Sequence, residues 1–393
     1  MFDAIVVGAR CAGAPTAMLL ARAGYRVLLV DRSERGTDTL STHVIHQPGV
    51  AALARWGVLD RIRATGCPPL DRVLYRVEDV RLEGSSRGVD GQRAAYAPRR
   101  HLLDPVLADA AAAAGAELRT RCQVTGLVHD DSGRVRGVRL RHGGRESTEY
   151  ARLVIGADGM RSTVAALCNA PYTRREPRMT CAYYAYWERV PGPLELYERP
   201  GGWVASVPTN DDATLVLAYY PQSRFEEVRA NAEHAYLEQI RGTAPALYER
   251  LRDKRRLERL RGTGRQENFF RQAAGPGWAL VGDAGHHKDS ITARGITDAF
   301  LQAESLTGHI GDDLRDEARL DAALQAYAEA RDAEMAEGYQ ATLSAARLET
   351  NPRRLSLLRA VQSDPDLTST YFDVFAGVEP ATALYTPRLL TRL

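Results

Sequence analysis

The chain has 393 residues, with 52 lysines and arginines against 50 aspartates and glutamates, a net charge of +2. That length suits two interleaved domains with a terminal extension, and a near-even charge without a basic tract interleaved with aromatics argues against nucleic acid as a partner. The longest alanine-rich stretch, residues 108–116, is interrupted by Asp109, is flanked by Asp104 and Glu117, and falls short of the roughly 20 apolar residues that a membrane span needs, so a soluble protein is expected.

In chain order, MFDAIVVGAR carries Asp3 where a secretory leader would be basic, and its apolar run is short; it reads as a first strand. The apolar run 4–7, the helical run 14–23 closed by Gly24 and the run 26–30 ending at Asp31 form a βαβ unit. Residues 39–66 read as a loop and two short helices, 73–82 as strand, and 84–88 as a turn. Asp104 and Pro105 look like the cap and first turn of a helix reaching Gly115. Strand signals follow at 124–129, 135–141 and 153–155. An aromatic stretch from Cys181 to Trp187 then opens an antiparallel sheet continued at 194–197, 203–207 and 213–220. Two helical stretches are expected between Arg224 and Leu260, then a buried strand at 278–281, helices from Thr297 and Leu320 onward, and a proline-punctuated tail. The five cysteines, Cys11, Cys67, Cys122, Cys168 and Cys181, lie far apart with no CxxC pair, which suggests neither a disulfide framework nor a metal site and fits a reducing cytoplasm.

Three motifs carry chemistry. VVGARCAG sets Gly8 and Gly13 at the outer positions of GxGxxG between a strand and a helix, with Asp31 about 20 residues on, as a dinucleotide fingerprint requires. Gly8 permits the tight turn, Gly13 the close approach of helix to strand, and Asp31 can accept from a ribose diol; Arg10 replaces the middle glycine, so its side chain must turn away from a pyrophosphate or contact it. Cys11, Ala12 and Arg32 are further contact candidates around this loop. GADGMRS (156–162) and ALVGDAG (279–285) each follow an apolar strand, and the latter leads to Ala293, Arg294 and Gly295 at a helix start. Amides of Gly295, Ile296 and Thr297 at that start suit an anion.

With the three motifs in this order, residues 1–335 resemble the FAD-dependent monooxygenase superfamily, the para-hydroxybenzoate hydroxylase-like flavoproteins, to which flavin-dependent halogenases and geranylgeranyl reductases are related. The resemblance implies an α/β fold: a Rossmann-type FAD-binding domain (1–70, 97–176 and 265–335) interleaved with an antiparallel β-sheet substrate domain (71–96 and 177–264), plus a helical C-terminal extension (336–393). It nominates Arg100, in RHLLDPVL, and Val124 as FAD contacts, Asp158 as a link between FAD and a nicotinamide donor, and Gly282 and Asp283 beside the ribitol. It implies oxygenation of a small organic substrate, aromatic or polyketide-like and of secondary metabolism, by NADPH or NADH and O2 through a flavin hydroperoxide. A cytoplasmic monomer or homodimer is expected.

Departures keep a rival open. HHKDSITARG lacks the proline pair of aromatic hydroxylases, and Asp289-Ser290 lies closer to halogenases and geranylgeranyl reductases, so an FAD-dependent reductase is the alternative. GGWVASVP has Ala205 where the halogenase-like pattern has a second tryptophan, and no lysine precedes Lys254, which disfavours halogenation; a flavin-binding protein without turnover is a further alternative.

On the substrate side, alternation in CAYYAYW puts Tyr183 and Trp187 on one face and Tyr184 and Tyr186 on the other. Tyr183, Trp187 and Trp203 are substrate-contact candidates, with ordinary core packing as the other reading. His43 and His46 are candidates for proton transfer. Lys288 is one of only two lysines, and either serves flavin or substrate or pairs with Asp289 on a surface loop.

Overall fold

The computed structural model describes residues 1–34 and 36–393. Its first sheet has a parallel centre, ordered Trp278–Leu280, Arg145–Gly156, Phe2–Val7, Val27–Val30 and Glu117–Arg119. The Phe2–Val7 and Val27–Val30 strands read as unbroken apolar runs because both faces are covered: one by the helices Gly13–Arg22 and Gly295–Ile310, the other by an antiparallel arm. That arm arises because Arg145–Gly156 is shared. Its first half pairs antiparallel with Val135–His142 and its second half parallel with Phe2–Val7.

The second sheet has seven strands, ordered Arg261–Thr263, Thr180–Glu188, Ala213–Pro221, Gly202–Pro208, Leu194–Arg199, Val73–Val77 and Val80–Gly84. It is antiparallel except that Leu194–Arg199 and Val73–Val77 run parallel. Strict alternation along Thr180–Glu188 separates two cores. Ala182, Tyr184 and Tyr186 face the inner one, whereas Cys181, Tyr183, Ala185 and Trp187 face the helices Ala232–Thr243 and Pro245–Leu251.

Three sequence-based boundaries are corrected. The helix expected to start at Asp104 begins at Arg100, so Pro105 lies inside it and Asp104 is in its second turn, holding Arg100 through an i,i+4 ion pair. The stretch between Arg224 and Leu260 holds three α-helices instead of two. The helix placed from Thr297 in the chain-order reading starts at Gly295, where the motif reading put it.

After the long helix Glu317–Ala346, helices Pro352–Gln362 and Pro365–Ala376 dock on the Val80–Gly84 edge of the second sheet. Each starts with a side-chain cap and a proline at the first position, Asn351 with Pro352 and Asp364 with Pro365. Leu358, Val361, Leu367 and Phe372 enter the inner core of that sheet. The dock is pinned by charge. Glu198 is buried, its carboxylate accepts from Tyr75 at 2.6 Å, and Arg354 clasps it with both terminal nitrogens.

Removing one partner of a buried pair leaves the other charge uncompensated, which costs more than the pair itself contributes. Arg354→Ala is expected to lower unfolding stability by about 3 kcal/mol, and the double variant Arg354→Met with Glu198→Gln to regain most of it. Urea unfolding of the three proteins checks this; an Arg354→Ala loss within a few tenths of a kcal/mol would show that the tail is held by apolar contacts alone.

Candidate active site

The strands Phe2–Val7, Arg145–Gly156 and Trp278–Leu280 end at one edge of the first sheet, and each runs into a glycine-bearing turn. The turns touch. A Cβ on Gly8, whose φ is +103°, would lie 2.4 Å from the Ala157 carbonyl oxygen, and one on Gly13 would lie 1.8 Å from the Gly8 oxygen. Only glycine fits either place. Along this edge runs a crevice of about 390 Å³, walled by Gly8, Arg10, Cys11, Ala12, Asp31, Arg32, Arg100, Val124, Asp158, Asp283, Gly295 and Ile296. Gly13 and Gly282 stand behind the wall and permit its packing: Gly282 has φ +63°, and a Cβ there would meet Ala12.

Many polar groups of the wall are already engaged. Asp31 accepts from the amides of Ala9 at 2.8 Å and Ser33 at 2.7 Å, which fixes the first loop against the second strand. Arg100 is clasped by Asp104 at 2.8 and 3.0 Å, and the Cys11 thiol lies 3.4 Å from the same carboxylate. Burial pushes that thiol far above its ordinary range. Arg10 reaches outward to the Thr37 hydroxyl at 3.1 Å. The Asp158 carboxylate accepts from the Ser162 hydroxyl and the Thr163 and Val164 amides, capping the short helix Thr163–Leu167, and burial raises its pKa.

At the other end the wall is unfilled. Asp283 is exposed, and a Cβ on Gly295 would meet nothing within 4 Å. Among the described residues, the amides of Gly295, Ile296 and Thr297 find no backbone acceptor. A flat, polar-edged ring with a developing negative charge fits this end: no side chain stands in its way at Gly295, and free N–H groups and a helix dipole face it.

A second, narrow chamber of only about 20 Å³ adjoins the crevice, and Thr42 and Ala293 line both. Its floor is the inner face of the second sheet (Leu194, Leu196, Ala205, Val207, Leu217 and Tyr219); Val44, His46 and Ile291 wall it, with Phe375 of the terminal extension. Its polar groups are few: Thr42, His46 and the Tyr219 hydroxyl, 2.9 Å from Ser290 Oγ.

The catalytic and substrate candidates separate. His46 lines the chamber, with its Nε2 3.2 Å from the Thr292 carbonyl oxygen and its ring edge-on to Phe375. His43 does not line it: with φ +65° the residue turns inward, and Nε2 lies 2.5 Å from the Tyr186 hydroxyl. Lys288 is on the crevice wall but is buried, and its ammonium bonds Asp298, which corrects the expected surface pair with Asp289. Tyr183 and Trp187 lie on the helix-packed face, where Trp187 donates to the Tyr236 hydroxyl at 3.0 Å; the alternation holds, but this pair points away from the crevice. Trp203 faces the inner core and packs on Tyr75, outside the chamber lining. Sequence reading missed Thr42, Tyr219 and Phe375, and named Ala293 only as part of a helix start. Tyr219 shares the face of Leu217 by alternation, but nothing in the tail sequence singles out Phe375.

Burial, with Arg294 and Lys288 nearby, lowers the pKa of His46 to about 4, so the ring is neutral near pH 7. The unfolded chain takes this proton near pH 6.5 and the folded chain only near 4, so the stability that depends on the neutral ring is complete above 6.5 and falls as pH drops toward 4. The unfolding free energy of the native protein minus that of His46→Asn, measured by urea titration from pH 7.5 to 4, should shrink by about 3 kcal/mol. A difference independent of pH would mean that His46 titrates normally.

The chain matches the FAD binding domain family over residues 1–341. It is 29% identical over 314 residues to 6-methylpretetramide 4-monooxygenase of Streptomyces rimosus, covering 77% of this chain and 73% of that protein. It is 28% identical to a digeranylgeranylglycerophospholipid reductase of Methanosarcina mazei, covering 78% of this chain and 74% of the other. Among solved structures, the flavin-dependent brominase Bmp2 superposes with a TM-score of 0.81 at 16% identity, over 96% of this chain and 93% of that one, a likeness of fold. No helix among the described residues is long and apolar enough to cross a membrane. The chain belongs to the FAD-binding-domain family, and it is an FAD-dependent oxidoreductase of the monooxygenase superfamily.

Proposed function

We infer that this protein is an NAD(P)H- and O2-dependent monooxygenase of a small aromatic or polyketide-like compound. The observation that carries the reading is an apolar cavity that shares Thr42 and Ala293 with the crevice; at about 20 Å³ it has to widen to admit such a substrate. FAD would be held by the first glycine loop, Asp31, Arg100, Val124, Asp283 and the amides from Gly295; when bound, it supplies electron transfer from the nicotinamide donor and activation of dioxygen.

The chain's own contributions follow from its residues. The apolar floor excludes water and orients a planar substrate through contacts with Leu196, Val207 and Leu217. The Tyr219 hydroxyl can donate to a substrate carbonyl, and with Nε2 of the neutral His46 ring directed at the Thr292 carbonyl, its other ring nitrogen can accept from a substrate hydroxyl. The free amides of Gly295, Ile296 and Thr297 favour negative charge at the crevice end. Asp158, engaged as a helix cap, supports the wall beside a nicotinamide approach rather than offering a free carboxylate. Tyr183, Trp187 and Trp203 are not part of this proposal. The five free cysteines fit a cytoplasmic setting.

A reductase that saturates an apolar alkene is the second reading. The hydrocarbon lining of the chamber favours it, as does the digeranylgeranylglycerophospholipid reductase among the relatives. Oxygen separates the two.

Purified protein should be yellow. With a panel of polycyclic phenols, NADPH or NADH oxidation should be stimulated by substrate, and the product should gain one oxygen atom traceable to 18O2. Substrate reduction without oxygen would replace this reading by the reductase. Gly295→Val projects two methyl groups into the unfilled end of the crevice; it should weaken FAD binding at least tenfold while far-UV circular dichroism stays unchanged. Undiminished FAD affinity in that variant would move the flavin away from Gly295.

A further inference from the structure

A third cavity, of about 680 Å³, lies on the other side of the flavin-facing helix, between Gly295–Ile310 and Glu317–Ala346. That is the size range of small-molecule sites. Its inner end is cationic: Lys288 and Arg294 both line it, with Asp298 between them.

Arg294 is the unusual member. Its side chain is only 18% exposed, yet among the described residues its guanidinium makes no hydrogen bond, and its nearest opposite charge is Asp298, with Nε 3.9 Å from Oδ1. Asp298 is already committed to Lys288. A guanidinium carries five N–H donors in a planar fork, and leaving the buried Nε of this one unpaired is expensive. The surroundings nevertheless make room for it. A Cβ on Gly377 would stand 2.0 Å from an Arg294 terminal nitrogen, and one on Gly338 would stand 3.7 Å from the guanidinium carbon, so two glycines from separate helical segments form its seat. Beyond the guanidinium the cavity offers Leu301 and Met335 as apolar walls, with Ser305 and His309 farther along the helix; two carboxylates also line it, Glu304, which is held by Arg55 and Trp56, and Glu334.

We propose that this cavity is a binding site for a small organic acid, its carboxylate held by the fork of Arg294 and its apolar body lying between Leu301 and Met335. Fork and carboxylate match in geometry and charge, and the acid supplies the acceptors that the protein withholds. The site is separate from the chamber described above. It is nonetheless joined to the cofactor crevice: Lys288 lines both cavities, and Arg294 immediately precedes Gly295 of the crevice wall. An acid bound here is therefore placed to act as an effector of the flavin site.

The test uses FAD-loaded protein, with flavin content measured first, and sodium benzoate as the probe, followed by isothermal titration calorimetry and by the flavin absorption spectrum. Native protein should bind benzoate saturably and ignore benzylamine. Arg294→Leu should lose at least tenfold in affinity, and Arg294→Lys, which keeps the charge but not the fork, should fall between them. The proposal is overturned if native holoprotein shows no benzoate binding at millimolar concentration. It is equally overturned if both variants bind like the native protein, which would place benzoate in the chamber or elsewhere.

Discussion

One buried carboxylate ties the two halves of the molecule together. Asp289 accepts from the Thr180 hydroxyl at 2.7 Å, on the second sheet, and from the Ile291 amide at 3.1 Å, while its own amide donates to Asn268 at 2.7 Å. Gln266 donates to the same threonine and accepts from Ser290. Burial raises the Asp289 pKa to about 6, while the donors around it favour the ionised form. The segment they hold, from Lys288 to Gly295, is the shared wall of every cavity described above. Its position relative to the second sheet decides whether the chamber meets the crevice.

That arrangement explains how unlike sites coexist in so short a stretch. Ala293, in the left-handed region at φ +54°, reverses the chain, so that Ile291 faces the apolar chamber, Arg294 turns to the far side of the helix, and Gly295 opens the crevice. Neighbouring residues thus serve three environments: apolar, cationic, and lined by free amides. Such strain in a non-glycine residue persists only where its surroundings over-determine it, and here the Asp289 network does so.

Much of this was legible in the sequence, for identifiable reasons. The glycine turns after the first, second and third motif strands announce themselves because no other residue fits where loop meets loop, as the 1.8 Å approach at Gly13 shows. Arg100 was legible as a residue but not its helix, since Pro105 was read as a helix start although an ion pair to Asp104 carries the helix past it. The aromatic strand gave its two faces by period alone, but period is silent on which face meets the cofactor domain. Tyr183 and Trp187 fell on the helix side for that reason. His43 and His46, three residues apart, looked equivalent; the positive φ of His43 turns it inward toward Tyr186. Long-range partners such as Asp298 for Lys288 and Phe375 for His46 leave no local trace at all.

Phe375 closes the chamber from a part of the chain that takes no part in the first sheet. The crevice is lined by residues ending at Ala299, whereas one side of the chamber is added by the last helices. During synthesis the dinucleotide half can therefore assemble before the chamber has its final shape. The same separation means that a change of bulk at Phe375 would reshape the chamber without touching the glycine turns.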